Sequence, residues 1–110
     1  MVQYSSSLDL AFAAVADSTR RGILERLGAQ EASISELADS FGMTLTGMKK
    51  HIRLLEVAGL VRTEKVGRVR TCRLGSRRLG EELAWIANYQ KTLEARFDRL
   101  EEFLARTQGE

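Results

Sequence analysis

Apolar residues recur at helical spacing in five stretches of the chain and at a spacing of two in one, and these changes of period lay out the fold. Residues 8–16, LDLAFAAVA, set Leu8, Phe12 and Val15 on one side with alanines between them, a short, nearly all-apolar helix that needs a cover. Asp17 stands where it can cap a second helix, STRRGILERLGA, with Ile23, Leu24 and Leu27 inward, Arg20, Arg21 and Arg26 in solvent and Gly28 as terminator. In SISE, Ser33 and Glu36 have capping-box spacing, so a third helix follows with Ile34, Leu37, Ala38 and Phe41 as its buried stripe. Gly42 turns the chain. Thr44 then caps a fourth helix in 44–60, TLTGMKKHIRLLEVAGL, where Met48, Ile52 and Leu55 fall at i, i+4 and i+7 and Gly59 ends the run.

Two short helices joined by a tight glycine turn, residues 33–59, form a helix-turn-helix pattern. Beyond Gly59 the period drops to two. LVRTEK and VRTCRL flank Val66-Gly67-Arg68 and predict a β-hairpin over 60–74 with Gly67 at its tip, a wing beside the second helix of the motif. From Ser76 to about Thr107 the helical period returns. Leu79, Leu83, Ile86, Gln90, Leu93, Phe97, Leu100 and Leu104 step alternately by four and three, a heptad seam with one polar interruption, broadened by Trp85, Tyr89 and Phe103. Such a helix of about 32 residues is about 48 Å long, more than the small body before it can cover. Its stripe (Leu83, Ile86, Leu93, Phe97, Leu100, Leu104), with Leu8 and Phe12 of the first helix, is therefore expected to pair with a second copy of the chain as a two-fold homodimer. The expected fold is mainly α with a small β-hairpin: a single winged helix-turn-helix domain, residues 1–110, whose helices at 8–16 and 76–107 dimerise.

Charge changes the picture more than composition does. The chain has a net charge of only +2, but residues 44–78 carry ten Lys and Arg against Glu56 and Glu64, so the remaining residues sum to −6. Cations concentrated on one segment are the electrostatic footprint of a polyanion partner, because counterion release rewards local density. On the fourth helix, Thr46, Lys49, Lys50 and Arg53 form a face with three cations and no carboxylate, whereas a merely solvated face mixes both signs. Thr46, Lys49 and Lys50 are expected near base edges of double-stranded DNA, with His51 and Arg53 nearer phosphates and Thr44, the cap, within the same DNA-binding set. Lys65, Arg68 and Arg70 on the wing suit phosphates or a narrow minor groove. Gly47, costly inside a helix, either lets the backbone approach the groove or carries no role. Arg20 and Arg21 either clamp phosphates or pair with acids on the last helix.

A single cysteine, Cys72, makes no intrachain disulfide and suits a reducing compartment; it is expected as a small buried filler, with a thiol switch as the alternative. The start MVQYSSSLDLAF has no basic segment followed by a long apolar run, and no stretch reaches about 20 apolar residues, so a cytoplasmic protein without membrane association is expected. Proline is absent, which leaves helix ends to caps and glycines.

Three stretches, LAFAAVADSTRRGILERL, SISELADSFGMTLTGMKKHIRLLEVAGLV and EKVGRVRTCRL, together resemble the ArsR/SmtB-type winged helix-turn-helix transcriptional repressors over residues 8–74, and the last helix does so loosely. The resemblance implies a dimer joined by the first and last helices and binding to an operator, commonly to repress; it also sets His51 in the family's Lys-His pair. Many such proteins sense metals through Cys-x-Cys at the start of the third helix, where this chain has Ser33 and Ser35, or through His, Asp and Glu ligands along the last helix, whereas residues 76–110 contain no histidine or cysteine. One cysteine and one histidine on different elements cannot build a soft-metal site, so no metal and no cofactor is expected, and any small-molecule effector is left unassigned. An enzyme is disfavoured, since no nucleophile-base pair, phosphate loop or metal cluster is present. The competing class is a protein-interaction adaptor that uses a winged helix without touching DNA.

Overall fold

Helix ends in this chain are decided by side chains a few residues away, and the observed elements follow from them. The computed structural model describes residues 6–108. In order these are α1 (Ser6–Val15), α2 (Ser18–Ala29), β1 (Ala32–Ser33), α3 (Ile34–Ser40), α4 (Leu45–Val57), β2 (Val61–Val66), β3 (Val69–Leu74) and α5 (Gly80–Gln108). They fall into two compact units, with the division after Arg78.

In the first unit, the Asp17 carboxylate accepts from the Arg20 amide at 3.0 Å and starts α2. At α3, Ser33 and Glu36 make the reciprocal capping box, each side chain accepting the other's amide at 3.1 Å. Both helices of the helix-turn-helix end in the same way. Gly42 donates to Asp39 and Met43 to Ala38, while Gly59 donates to Glu56 and Leu60 to Leu55, each a Schellman pair around a glycine with positive φ, +61° and +78°. Gly28 does not have that conformation, and α2 runs on to Ala29 with Gln30 as its cap, one residue past the expected stop.

The core is drawn from every element of this unit. Ile23, Leu27, Ile34, Leu37, Met48, Ile52, Leu55, Val61 and Cys72 are buried, including the whole predicted stripe of α4. Leu24 and Phe41, expected inside, are half-buried. In α1, which packs on α2 and α4, the buried positions are Ala11 and Ala14, and Leu8, Phe12 and Val15 are only half-buried. The smallest side chains allow the closest approach between helices and so take the buried ridge, with the larger ones flanking it. Gly22, which the pattern did not single out, has a comparable role, since a Cβ there would stand 3.0 Å from the Phe41 ring.

β2 and β3 pair antiparallel from Val61–Leu74 to Val66–Val69, leaving Gly67 and Arg68 as a two-residue turn with Gly67 at φ +64°. β1, two residues long and not foreseen, adds to β3 through Ala32–Cys72 and Ser33–Thr71, so the sheet order is β1-β3-β2. The strand is too short for any sequence period to reveal it.

The second unit is α5, 29 residues, starting at Gly80 and not at Ser76. Residues before it are engaged elsewhere: the Gly75 amide donates to Leu60 at 2.8 Å, and Arg77 donates to the Ser7 carbonyl at 3.1 Å. Along α5, Leu83, Ile86, Phe97, Leu100 and Leu104 are exposed, Leu93 is half-buried, and Trp85 stacks on Tyr89 with ring centroids 5.6 Å apart. No helix among the described residues is long and apolar enough to cross a membrane.

Candidate nucleic-acid interface

The amphipathic division of α4 decides what it can present. With Met48, Ile52 and Leu55 buried, Thr46, Lys49, Lys50 and Arg53 are forced outward, and all four are exposed. The hairpin brings a second set of cations beside them. A groove of about 310 Å³ between the N-terminal parts of α3 and α4 and the wing is lined by Lys49, Lys65, Arg68 and Arg70, with Ser33, Ser35 and Leu45, and none of its lining residues is acidic. Four predicted cations from two elements, Lys49 from a helix and three from the wing, therefore converge on one concavity. Thr46 and Lys50 lie on the exposed helix face outside that lining, and Arg53 lines a different cleft.

Other predicted residues have intramolecular work. The Thr44 hydroxyl accepts from the Gly47 amide at 3.1 Å and so is the α4 cap. Gly47 is explained locally: a Cβ there would stand 3.1 Å from that hydroxyl oxygen and 3.4 Å from the end of Met43. His51 is half-buried between helices. Arg20 places Nη1 3.1 Å from His51 Nδ1, and because a guanidinium carries no acceptor, Nδ1 accepts and Nε2 is left as the ring's donor. Asp17 Oδ2 lies 4.0 Å from the same nitrogen, and the Arg20 amide holds the Asp17 carboxyl below its usual range.

Arg20 and Arg21, left open between phosphates and acids, are satisfied at the end of α1. Arg20 donates to the Ala14 and Ala13 carbonyls at 2.8 and 3.1 Å, and Arg21 donates to Val15 at 2.7 Å, so that side chains reach the last carbonyls of α1, of which Ala13 also accepts from the Ala16 amide. Arg20 is half-buried as a result, not free in solvent.

The wing is tied to α4 by a chain of side chains. Arg70 Nη1 donates to Thr63 Oγ1 at 2.9 Å, and that hydroxyl donates to Glu56 Oε2 at 2.8 Å. Arg73, in contrast, is neutralised by Glu31 and Glu64 at 3.5 and 3.3 Å. Cys72 is buried between Ala32 and Thr63 on the neighbouring strands. Burial, with a smaller contribution from Glu56 and opposed by Arg70, pushes its thiol up to about 11, the reverse of an activated thiolate. Among the described residues no group of three or more His, Cys, Asp or Glu could hold a metal ion. Ser33 and Ser35 in the groove, and Arg62 and Arg77 in the second cleft, were not singled out as site residues; strand pairing and chain return put them there, and neither leaves a local signal.

Residues 15–64 match the helix-turn-helix domain family. An ArsR family transcriptional regulator of known crystal structure is 45% identical, covering 86% of this chain and 97% of that one with a TM-score of 0.73. The HTH-type transcriptional regulator Rv2034 of Mycobacterium tuberculosis is 35% identical over 68 residues, 62% of this chain and 64% of that protein, so the chain spans less than two thirds of that relative. The fold is also that of Mb0332 from Mycobacterium bovis, a homodimeric winged helix-turn-helix DNA-binding domain in solution, at 22% identity, 84% and 83% coverage and a TM-score of 0.61.

Proposed function

Because this chain belongs to the ArsR family of transcriptional regulators, we propose that it binds double-stranded DNA sequence-specifically as a homodimer and represses transcription from a palindromic operator. The observation that carries this reading is the convergence of Lys49 with Lys65, Arg68 and Arg70 on one groove free of acidic residues, beside an exposed face holding Lys50 and Arg53. α4 enters the major groove, where Thr46, Lys49 and Lys50 read base edges. The wing follows the adjacent backbone or minor groove with Lys65, Arg68 and Arg70. His51 serves this interface by orienting α4 through Arg20, with Nε2–H free for a phosphate. Two-fold pairing that uses the exposed apolar stripe of α5, and Leu8 and Phe12 of α1, presents two α4 helices to two half-sites. Repression follows if that operator overlaps a promoter.

The test begins with fragments selected from genomic DNA by the purified protein. On a selected site, Lys49→Ala and Lys50→Ala should each weaken binding by about 1–3 kcal/mol where a base contact is lost, with unchanged helicity and mass. Affinity should fall steeply with salt. Unchanged affinity in both variants, or a weak salt response, would instead fit an adaptor that uses this surface for protein.

A further inference from the structure

A second cleft lies between the C-terminal end of α4 and the start of β2, outside the groove assigned to DNA. It is an open surface cleft of about 720 Å³, and three guanidiniums, of Arg53, Arg62 and Arg77, line it against one carboxylate, Glu56. Small-molecule sites typically measure about 300–1,000 Å³. Glu56 accepts from the Thr63 hydroxyl, a neutral donor, so the cleft keeps three guanidiniums against one carboxylate charge. Arg77 donates to the Ser7 carbonyl, and its methylenes pack over Gly59. Arg53 and Arg62 have neither an ion pair nor a side-chain hydrogen bond among the described residues.

Arg62 is the more informative of the two. In the sheet it stands directly opposite Arg73, a like-charge pair that is unfavourable unless anions intervene. Arg73 has its anions, Glu31 and Glu64. Arg62 borders a small cleft shared with Glu64 and Arg73 but makes no ion pair there, and on its other side it lines the larger cleft with Arg53, which is likewise unpaired. A guanidinium is a planar fork of donors that fits a phosphate in bidentate fashion and remains charged at any accessible pH. Val57 and Val61 give the cleft an apolar wall on which a non-phosphate portion of a ligand could rest.

We propose that this cleft is a phosphate-binding site with Arg53 and Arg62 as its paired forks. The phosphate comes either from a DNA strand flanking the operator or from a free phosphorylated small molecule. Only the first source rests on the DNA-binding reading: Arg53 is one helical turn beyond Lys49, at the edge of the footprint proposed for α4. The second would make the cleft an effector site that competes for Arg53.

The decisive variant is Arg62→Gln, which removes an exposed, unpaired charge, with Arg106→Gln on α5 as a control for the same change in net charge. Both are first checked for unchanged helicity and melting temperature. Inorganic pyrophosphate is titrated into the full chain without DNA while backbone amide resonances are followed, and DNA affinity is measured across a salt series. If the source is free, pyrophosphate shifts the amides of residues 53–62, and Arg62→Gln weakens that binding by about tenfold or more while leaving the DNA salt slope unchanged. With DNA as the source, pyrophosphate leaves those amides unmoved and Arg62→Gln lowers the slope of log K against log salt by about one. Either outcome is expected to spare Arg106→Gln. Absence of both effects overturns the site, even where wild-type protein binds DNA normally. Conversely, a chain that binds no DNA but loses pyrophosphate on Arg62→Gln retains the site and loses the DNA reading.

Discussion

At Gly47 two effects of similar size oppose each other. Alanine in a helix interior is favoured over glycine by about 1 kcal/mol. Its Cβ, however, would stand 3.1 Å from the Thr44 hydroxyl that caps α4, and a lost threonine cap costs about 1 kcal/mol. Gly47→Ala should therefore leave stability nearly unchanged in the wild-type background and stabilise by about 1 kcal/mol once Thr44→Ala has removed the obstructing hydroxyl. Urea unfolding of the four proteins measures the coupling, and an equal effect in both backgrounds would refute the steric account. Cys72 makes a second prediction, through pH. Its thiol is pushed up from 9.0 to about 11 in the folded chain. Burial thus favours the protonated form, so its contribution to stability is full below about pH 9 and is lost as pH rises through 9 to 11. At pH 8 iodoacetamide should label Cys72 in urea and leave the native protein largely unlabelled; rapid native labelling would show that the thiol is not enclosed. At this scale the sequence was legible where an effect is local. Thr44, Asp17 and the Ser33–Glu36 pair were readable because a cap and its amide are three residues apart. Gly22, Arg20 and Arg21 were not, because their partners lie on other elements.

Elements were legible as far as their periods extended. The buried stripe of α4 and the presence of a hairpin with Gly67 at its tip follow from repeats of 3.6 and 2, whereas the register, which brings Val66 into β2, is set by pairing. Ambiguity arose where the chain closes on itself. Leu79 stands four residues before Leu83 and so draws the predicted helix back to Ser76, yet Gly75 just before it is packed so closely that a Cβ would collide with the Gly59 carbonyl, and its amide seals β3 to Leu60. The helix cannot begin until that closure is complete. The link between α4 and the wing was likewise invisible in the pattern, because Glu56, Thr63 and Arg70 belong to three elements. Since all three side chains meet at exposed or half-exposed positions, the link is worth little to stability, on the order of 1 kcal/mol or less. Its effect is orientation: with the Thr63 hydroxyl gone, Arg70 loses its anchor in the groove wall. Thr63→Val, which keeps the β-branched shape, should shift the urea midpoint slightly while weakening DNA binding by about three- to tenfold. A large loss of stability with intact affinity per folded molecule would mean that the chain of hydrogen bonds holds the wing up and does not aim it.

For the whole molecule, segregation of charge and of apolar surface are two aspects of one design. Cations concentrate between residues 44 and 78, and the large exposed apolar side chains concentrate in α5. A helix of 29 residues spans about 44 Å at about 1.5 Å per residue, and a lone helix in water is stabilised mainly by packing of its apolar face. Leu83, Phe97 and Leu100 are 65%, 63% and 53% exposed within the chain, which is unfavourable for a free monomer and suited to a seam. The test is to place charge in that seam. Phe97→Glu with Leu100→Glu should convert a particle of twice 12.3 kDa into one of 12.3 kDa by light scattering, without loss of helix-turn-helix structure in the first unit. Because linking two half-sites makes the second binding event intramolecular, affinity for a palindromic site should fall by about 100-fold or more. Affinity for a single half-site should change little, and the salt slope on the palindrome should drop towards half, as half the phosphates are contacted. A double-glutamate variant that still sediments as a dimer would move the interface away from α5. A wild-type mass of 12.3 kDa at micromolar concentration would remove two-fold pairing, and with it the reason to expect a palindrome.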